Sequence, residues 1–229
     1  MSESRGTGYW CGLGLVGMLL LAEAAMAMPE PTELRREGIV ERVAQNSASP
    51  EADRLWQEGE QLYREGTAQS LRGAIEKWEE ARRLYREARI QEGEAATLNN
   101  IGEVYDSLGD KQQALDYYDR ALPLHRTVGD RSGEAITLTN IGAVYNSLGD
   151  KPQALDYYDR ALLLHREVGN RSGEATTLNN IGRVYDDLGD KPQALDYLNR
   201  ALPLYREVGD RSGEAITLNN IGLVYSSLG

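Results

Sequence analysis

The sequence contains no phenylalanine, a single cysteine and only two histidines among its 229 residues. With no phenylalanine, aromatic core volume must come from 13 tyrosines and three tryptophans. One cysteine, Cys11, excludes a disulfide framework and any Cys–His nucleophile pair in the body of the chain. His125 and His165 occupy equivalent places forty residues apart, and Tyr205 stands where a third would be. That substitution favours a packed helix residue over a metal ligand. Positive charge is also short: 25 Lys and Arg against 36 Asp and Glu leave a net charge of −11. An acidic chain of this kind is a poor partner for nucleic acid or an anionic membrane surface.

Long apolar runs are missing except near the start, where "YWCGLGLVGMLLLA" precedes the small-x-small triplet Ala25-Met26-Ala27. This run has the length of a signal-peptide core and is short for a membrane span. Residues 1–27 are expected to be a signal peptide of an exported protein, periplasmic or extracellular. The alternatives are an uncleaved membrane anchor, the one way a membrane would enter, or a buried N-terminal segment. Residues 28–50 read as a linker, ending at Ser49-Pro50, a helix N-cap followed by proline at the first helical position.

The rest of the chain repeats. Copies start at Ala95, Ala135, Ala175 and Ala215, a period of 40 residues; the last stops at Gly229, and a divergent unit fills 51–94. A fixed period of this size marks a stacked array. Units are therefore expected over 51–94, 95–134, 135–174 and 175–214, with a half unit over 215–229. Each full unit predicts two helices. In the first, Leu178, Ile181, Gly182, Val184, Tyr185 and Leu188 share one arc, and Gly189 ends it. Asp190 caps the second, with Gln193 completing a capping-box pattern, and Ala194, Leu195, Leu198, Ala201, Leu202 and Tyr205 form its apolar face. Pro123 and Pro203 fall inside second helices, where a kink is expected. In the half unit, Ile221, Val224, Tyr225 and Leu228 have no second helix to cover them and are expected to be only partly buried, which predicts either a truncated gene product or self-association through that face.

Leu98, Ile101, Gly102 and Tyr105, followed by Ala114, Tyr118 and Ala121, match the spacing of the tetratricopeptide repeat, and the same spacing recurs through residue 214, with Leu198 at the place of Tyr118. Trp56, Tyr63, Ala74, Trp78 and Ala81 match in the first unit, with two extra residues in the turn and no glycine at the usual place. The chain thus resembles the tetratricopeptide family. Its period is similar to that of kinesin light chains, Pins-like adaptors and bacterial arrays that precede a caspase-like protease domain. The resemblance implies an all-α, right-handed superhelical solenoid whose first helices line a peptide-binding groove. Three roles follow: a non-catalytic scaffold for a protein or peptide, the sensor arm of a larger protease, or a structural spacer.

Differences between copies narrow the candidate site. Residues 136, 139, 143, 146 and 147 all differ from 176, 179, 183, 186 and 187, on the arc opposite the apolar one, whereas exposed Asp156 and Arg160 of the second helix do not change. A binding face is the favoured explanation, and free drift of exposed positions the other. On that arc Asn100, Asn140, Asn180 and Asn220 are constant. Their amides suit either an extended peptide backbone or a bond to the neighbouring helix. Asn99, Asn179 and Asn219 stand beside them; Glu103 and Arg183, with Ala143 and Leu223, would set specificity; Asp106, Asn146 and Asp186 complete the predicted groove. Phosphate loops and clustered metal ligands are absent from the sequence, so no cofactor and no enzymatic activity are expected.

Overall fold

The computed structural model describes residues 49–228. The expected signal segment and all but the last two residues of the linker lie outside them. Among the described residues there are nine α-helices and no strands: α1 (Pro50–Glu65), α2 (Ala68–Glu87), α3 (Gln91–Ser107), α4 (Lys111–Val128), α5 (Arg131–Ser147), α6 (Lys151–Glu167), α7 (Arg171–Asp187), α8 (Lys191–Val208) and α9 (Arg211–Leu228). None of them is long and apolar enough to cross a membrane.

Helix ends follow local chemistry. Asp110, Asp150 and Asp190 accept the backbone N–H of Gln113, Gln153 and Gln193 at 3.1–3.2 Å. The glutamines do not reach back, so these are single caps; the reciprocal box forms instead at Thr67 and Ser70. The first helices stop at Gly109, Gly149 and Gly189, whose φ of +81° to +86° only glycine adopts without strain. In each stop the next residue donates back into the last turn, as Asp110 N does to Tyr105 O at 2.9 Å. α4 and α8 run on past exposed Pro123 and Pro203 to Val128 and Val208. Leu188, expected on the apolar arc, is the C-cap of α7 and is exposed, because the helix has ended before it can turn inward.

The helices pair as α1/α2, α3/α4, α5/α6 and α7/α8, and each second helix packs on the next first helix. From α3 onward, successive first helices also touch one another, so α3, α5, α7 and α9 form one row. The core is a series of repeating layers rather than one centre. Leu138, Ile141 and Val144 of α5 pack with Tyr118 and Leu122 of α4 and Ala161 of α6; one unit later Leu178, Ile181 and Val184 pack with Tyr158, Leu162 and Ala201. Burying each such side chain contributes about 1.5–3 kcal/mol.

Glycine sets the approach of the two helices within a unit. A Cβ on Gly102 would stand 2.6 Å from the Tyr118 ring, and one on Gly142 2.7 Å from Tyr158. The first unit has the same seat at Gly59, against the Trp78 indole, which donates to Trp56 O at 3.0 Å. The expectation of no glycine there is thus corrected: Leu55 and Gly59, not Trp56, set the register of α1.

Candidate functional site

The row of first helices presents the arc on which the sequence varies. The structure separates the predicted groove residues into those that fasten the array and those that remain open. Asn99 and Asn179 belong to the first group. Both are buried, and each amide oxygen accepts two bonds from the next first helix. Asn99 Oδ1 takes Thr137 Oγ1 at 3.1 Å and Asn140 Nδ2 at 3.4 Å, and Asn179 Oδ1 takes Thr217 Oγ1 and Asn220 Nδ2, both at 3.1 Å. Asn100 reaches back in the same way to Glu60 at 3.5 Å. Of the two uses open to the asparagine ladder, these residues make the bond to the neighbouring helix. A buried amide left unpaired there would cost about 1–3 kcal/mol, which is reason enough for the residue to recur.

Asn180 is the exception. The residue placed to receive it, Thr139, offers a hydroxyl where its counterparts are Asn99 and Asn179. That hydroxyl is occupied by Ala135 O at 3.0 Å and by Thr177 Oγ1 and His165 Nε2, both at 3.3 Å. The Asn180 side chain makes no hydrogen bond to the described residues. Asn219 is exposed on α9.

Asp106, Asn146 and Asp186 are also engaged. Each accepts the lysine that opens the following helix, Lys111, Lys151 and Lys191, at 2.6 Å. They are half-buried ties across the turn within one unit. Glu103 accepts the Tyr63 hydroxyl at 2.6 Å. Arg183 is exposed and pairs with no carboxylate among the described residues, which makes it the predicted residue with the freest charge.

A second set of contacts repeats on the other side of each joint, and sequence reasoning missed it. Arg86, Arg126, Arg166 and Arg206 bond Glu94, Glu134, Glu174 and Glu214 across the turn between units at 2.6–2.7 Å. Burial alone would raise the Glu134 and Glu174 carboxyls. Hydrogen bonds from Arg126 with Arg131, and from Arg166 with Arg171, outweigh it and hold both below the usual glutamate value. The signal was present as an Arg and a Glu eight residues apart at the end of each unit.

The constant exposed residues of the second helices have a structural role too. Tyr145 stacks on Tyr157 at 5.4 Å, Arg160 lies 5.0 Å from the Tyr157 ring, and Asp156 holds Arg160 at 3.3 Å. The same column forms at Tyr105, Tyr117 and Arg120 and at Tyr185, Tyr197 and Arg200. In the first of these, burial and the bond to Glu79 push the Tyr117 hydroxyl up to about 12. Constancy of Asp156 and Arg160 therefore no longer argues against free drift on the opposite arc.

At the far end of the row, α7, α8 and α9 border an open pocket of about 280 Å³ lined by Arg183, Asp186, Asp187, Leu198, Ile216, Asn220, Leu223 and Val224. Val224 is fully buried there against Leu198, unlike the half-covered residue expected, while Tyr225 and Leu228 are exposed.

A family model described as "Tetratricopeptide repeat" matches residues 68–127 and 133–207. Aspartyl phosphate phosphatase F from Bacillus subtilis is similar in structure, with a TM-score of 0.69 at 17% identity, over 79% of this chain and 46% of its own. A Rap protein complexed with Competence and Sporulation Factor gives 0.66 at 18% identity, over 83% and 53% respectively. A putative kinesin light chain from Podosopora anserina with nearly identical TPR-like repeats gives 0.62 at 13% identity, over 80% and 90%. The chain spans about half the length of the first two, and these likenesses concern the fold. No curated protein matches it by sequence.

Proposed function

Because the chain belongs to the tetratricopeptide repeat family, we propose that it is a non-catalytic scaffold that holds a peptide or a partner protein along the row of first helices. One observation carries this reading. The Arg–Glu clasp recurs at every joint between units, whereas the ninth position of each copy runs Glu103, Ala143, Arg183, Leu223 along one row. An acid, a methyl group, a base and an isobutyl group at successive steps give a partner an address that a spacer has no use for. The Rap protein of similar fold, seen in complex with Competence and Sporulation Factor, agrees with a binding role.

The test is selection of random dodecapeptides on the full chain, followed by affinity measurement on Arg183→Glu. The variant should keep its melting temperature within a few degrees, since Arg183 is exposed, and should lose peptides rich in Asp and Glu. Equal retention of every selected peptide by both proteins would count against this face. We also propose export with cleavage after Ala27, supported by the small-x-small triplet behind an apolar run. Intact-mass measurement of protein recovered outside the cytoplasm should show the chain beginning at Met28.

A further inference from the structure

One position of the second helix faces the glycine seat in every unit. It is held by Trp78, Tyr118, Tyr158 and Leu198, all at most 1% exposed. In α4 and α6 the ring does two things. It lies flat over Gly102 or Gly142, and it continues into the layer made by the next first helix, where Tyr118 meets Leu138, Ile141 and Val144 and Tyr158 meets Ile181 and Val184. In α8 the side chain is leucine. It still covers Gly182, at 2.7 Å from where a Cβ would be, and still touches Val224, but it has no ring to carry further. The cavity between α7, α8 and α9 opens beside it.

The walls say what the cavity can accept. Its apolar lining includes buried Leu198 and Val224 and exposed Leu223. Of the carboxylates that line it, Asp186 is held by Lys191 at 2.6 Å and Asp187 by Lys151. Both negative charges are thus met within the chain, and the guanidinium of Arg183 is the charge left to an incoming group. Asn220 spends an N–H on Asn179, at 3.1 Å, and keeps its carbonyl oxygen to accept from a main-chain N–H. At about 280 Å³ the space lies at the small end of the roughly 300–1,000 Å³ range of ligand sites and has room for one anchoring side chain.

We propose that this cavity receives the aromatic side chain of an extended peptide, taking the place that Tyr118 and Tyr158 fill from within the chain, with an acidic neighbour in that peptide paired to Arg183. The proposal rests on the peptide-binding reading above and names the anchor that such a peptide must carry. Leucine at 198 turns a sealed layer into a socket, and Arg183 orients what enters.

The full chain, with its leucine methyls labelled for NMR, should be titrated with the capped pentapeptide Ser-Ser-Phe-Glu-Ser. The Leu198 and Leu223 methyls should shift. Alanine in place of phenylalanine should weaken binding by about tenfold or more, and lysine in place of glutamate by about fivefold. Leu198→Tyr should abolish the shift at Leu223 while keeping or raising Tm, because its ring fills the socket. Should that variant not fold, Leu223→Asp alters a side chain 57% exposed and should likewise lose the peptide. Unmoved Leu198 and Leu223 methyls, or undiminished binding by a folded Leu198→Tyr, overturn the socket. The two readings fail separately. If dodecapeptides selected on the chain bind Leu198→Tyr as tightly as the parent, the scaffold stands and the socket falls. If no dodecapeptide is selected, the scaffold reading falls, and the socket is still decided by the methyl shifts.

Discussion

Helices α7 and α9 are close to the same sequence in two settings. Both begin Arg-Ser-Gly-Glu-Ala and share Thr-Leu-Asn-Asn-Ile-Gly, yet Leu178 is 1% exposed and Leu218 is 44% exposed. Tyr185 stacks on Tyr197, while Tyr225 is 58% exposed. A Cβ on Gly182 would strike Leu198, while one on Gly222 would meet open space. Amphipathic pattern declares which face of a helix seeks cover, but the neighbour decides whether it is covered. In a stacked array stability belongs to the joints between units as much as to the units.

The widest split between the two helices should come from glycine. Gly182→Leu is expected to cost about 3 kcal/mol through overpacking against Leu198 and the Ala194 carbonyl. Gly222→Leu should instead gain up to about 1 kcal/mol from helix propensity. Urea denaturation of the two variants reads both, and equal costs would mean that α9 is covered in solution.

Next in size is the Arg–Glu clasp. Glu174→Gln should cost about 1–2 kcal/mol, and Glu214→Gln less, because the Glu214 and Arg206 side chains are 17% and 56% exposed against 9% and 41% for Glu174 and Arg166. The pH dependence has a definite sign. Glu134 and Glu174 are held low in the fold, so their stabilisation is complete above the unfolded glutamate value of about 4.3. It is lost as pH falls through the depressed folded values. The stability gap between the parent and Glu134→Gln/Glu174→Gln should be constant near pH 7 and should close under acid. A gap that widens on acidification would contradict this assignment.

The smallest expected change is a gain. Thr139→Asn would place an amide oxygen opposite Asn180 and Thr177, as Asn99 and Asn179 do for their partners. It should add about 0.5–1 kcal/mol, visible as a shift in urea midpoint without a change in slope. No gain would mean that the Thr139–Thr177 contact already does the same work.

Much of this was legible beforehand for a physical reason. Caps, αL glycines and the arc of Leu178, Ile181 and Val184 depend on residues within a turn or two of one another, and local spacing reports them. The asparagines were located correctly but their partners were not. Asn140 and Asn99 lie 41 residues apart, and an amide serves a ligand or a helix equally well. Asp106 and Asp186 looked like open acids because the turns at Gly109 and Gly189 were read for the helix ends they mark and not for the lysine they bring back five residues on. The Gly59 seat was hidden by a change of register in a divergent unit. The exchange of Tyr158 for Leu198 was visible as a difference between copies, but it kept the residue apolar; only the packed neighbours show that a pocket opens beside it.

The clasps and inner ties have a genetic consequence. A gene that duplicates or loses one block of 120 base pairs, three per residue of the forty-residue period, adds or removes one whole unit and leaves the same fittings on either side of the change. Copy number is therefore a quantity that slippage at the DNA level can alter without redesign of the protein, since each new junction meets an Arg, a Glu, a Thr and a socketed glycine already made for it. The place in the array where Arg183 and Leu198 fall would move with it, so length and address can be inherited as one change.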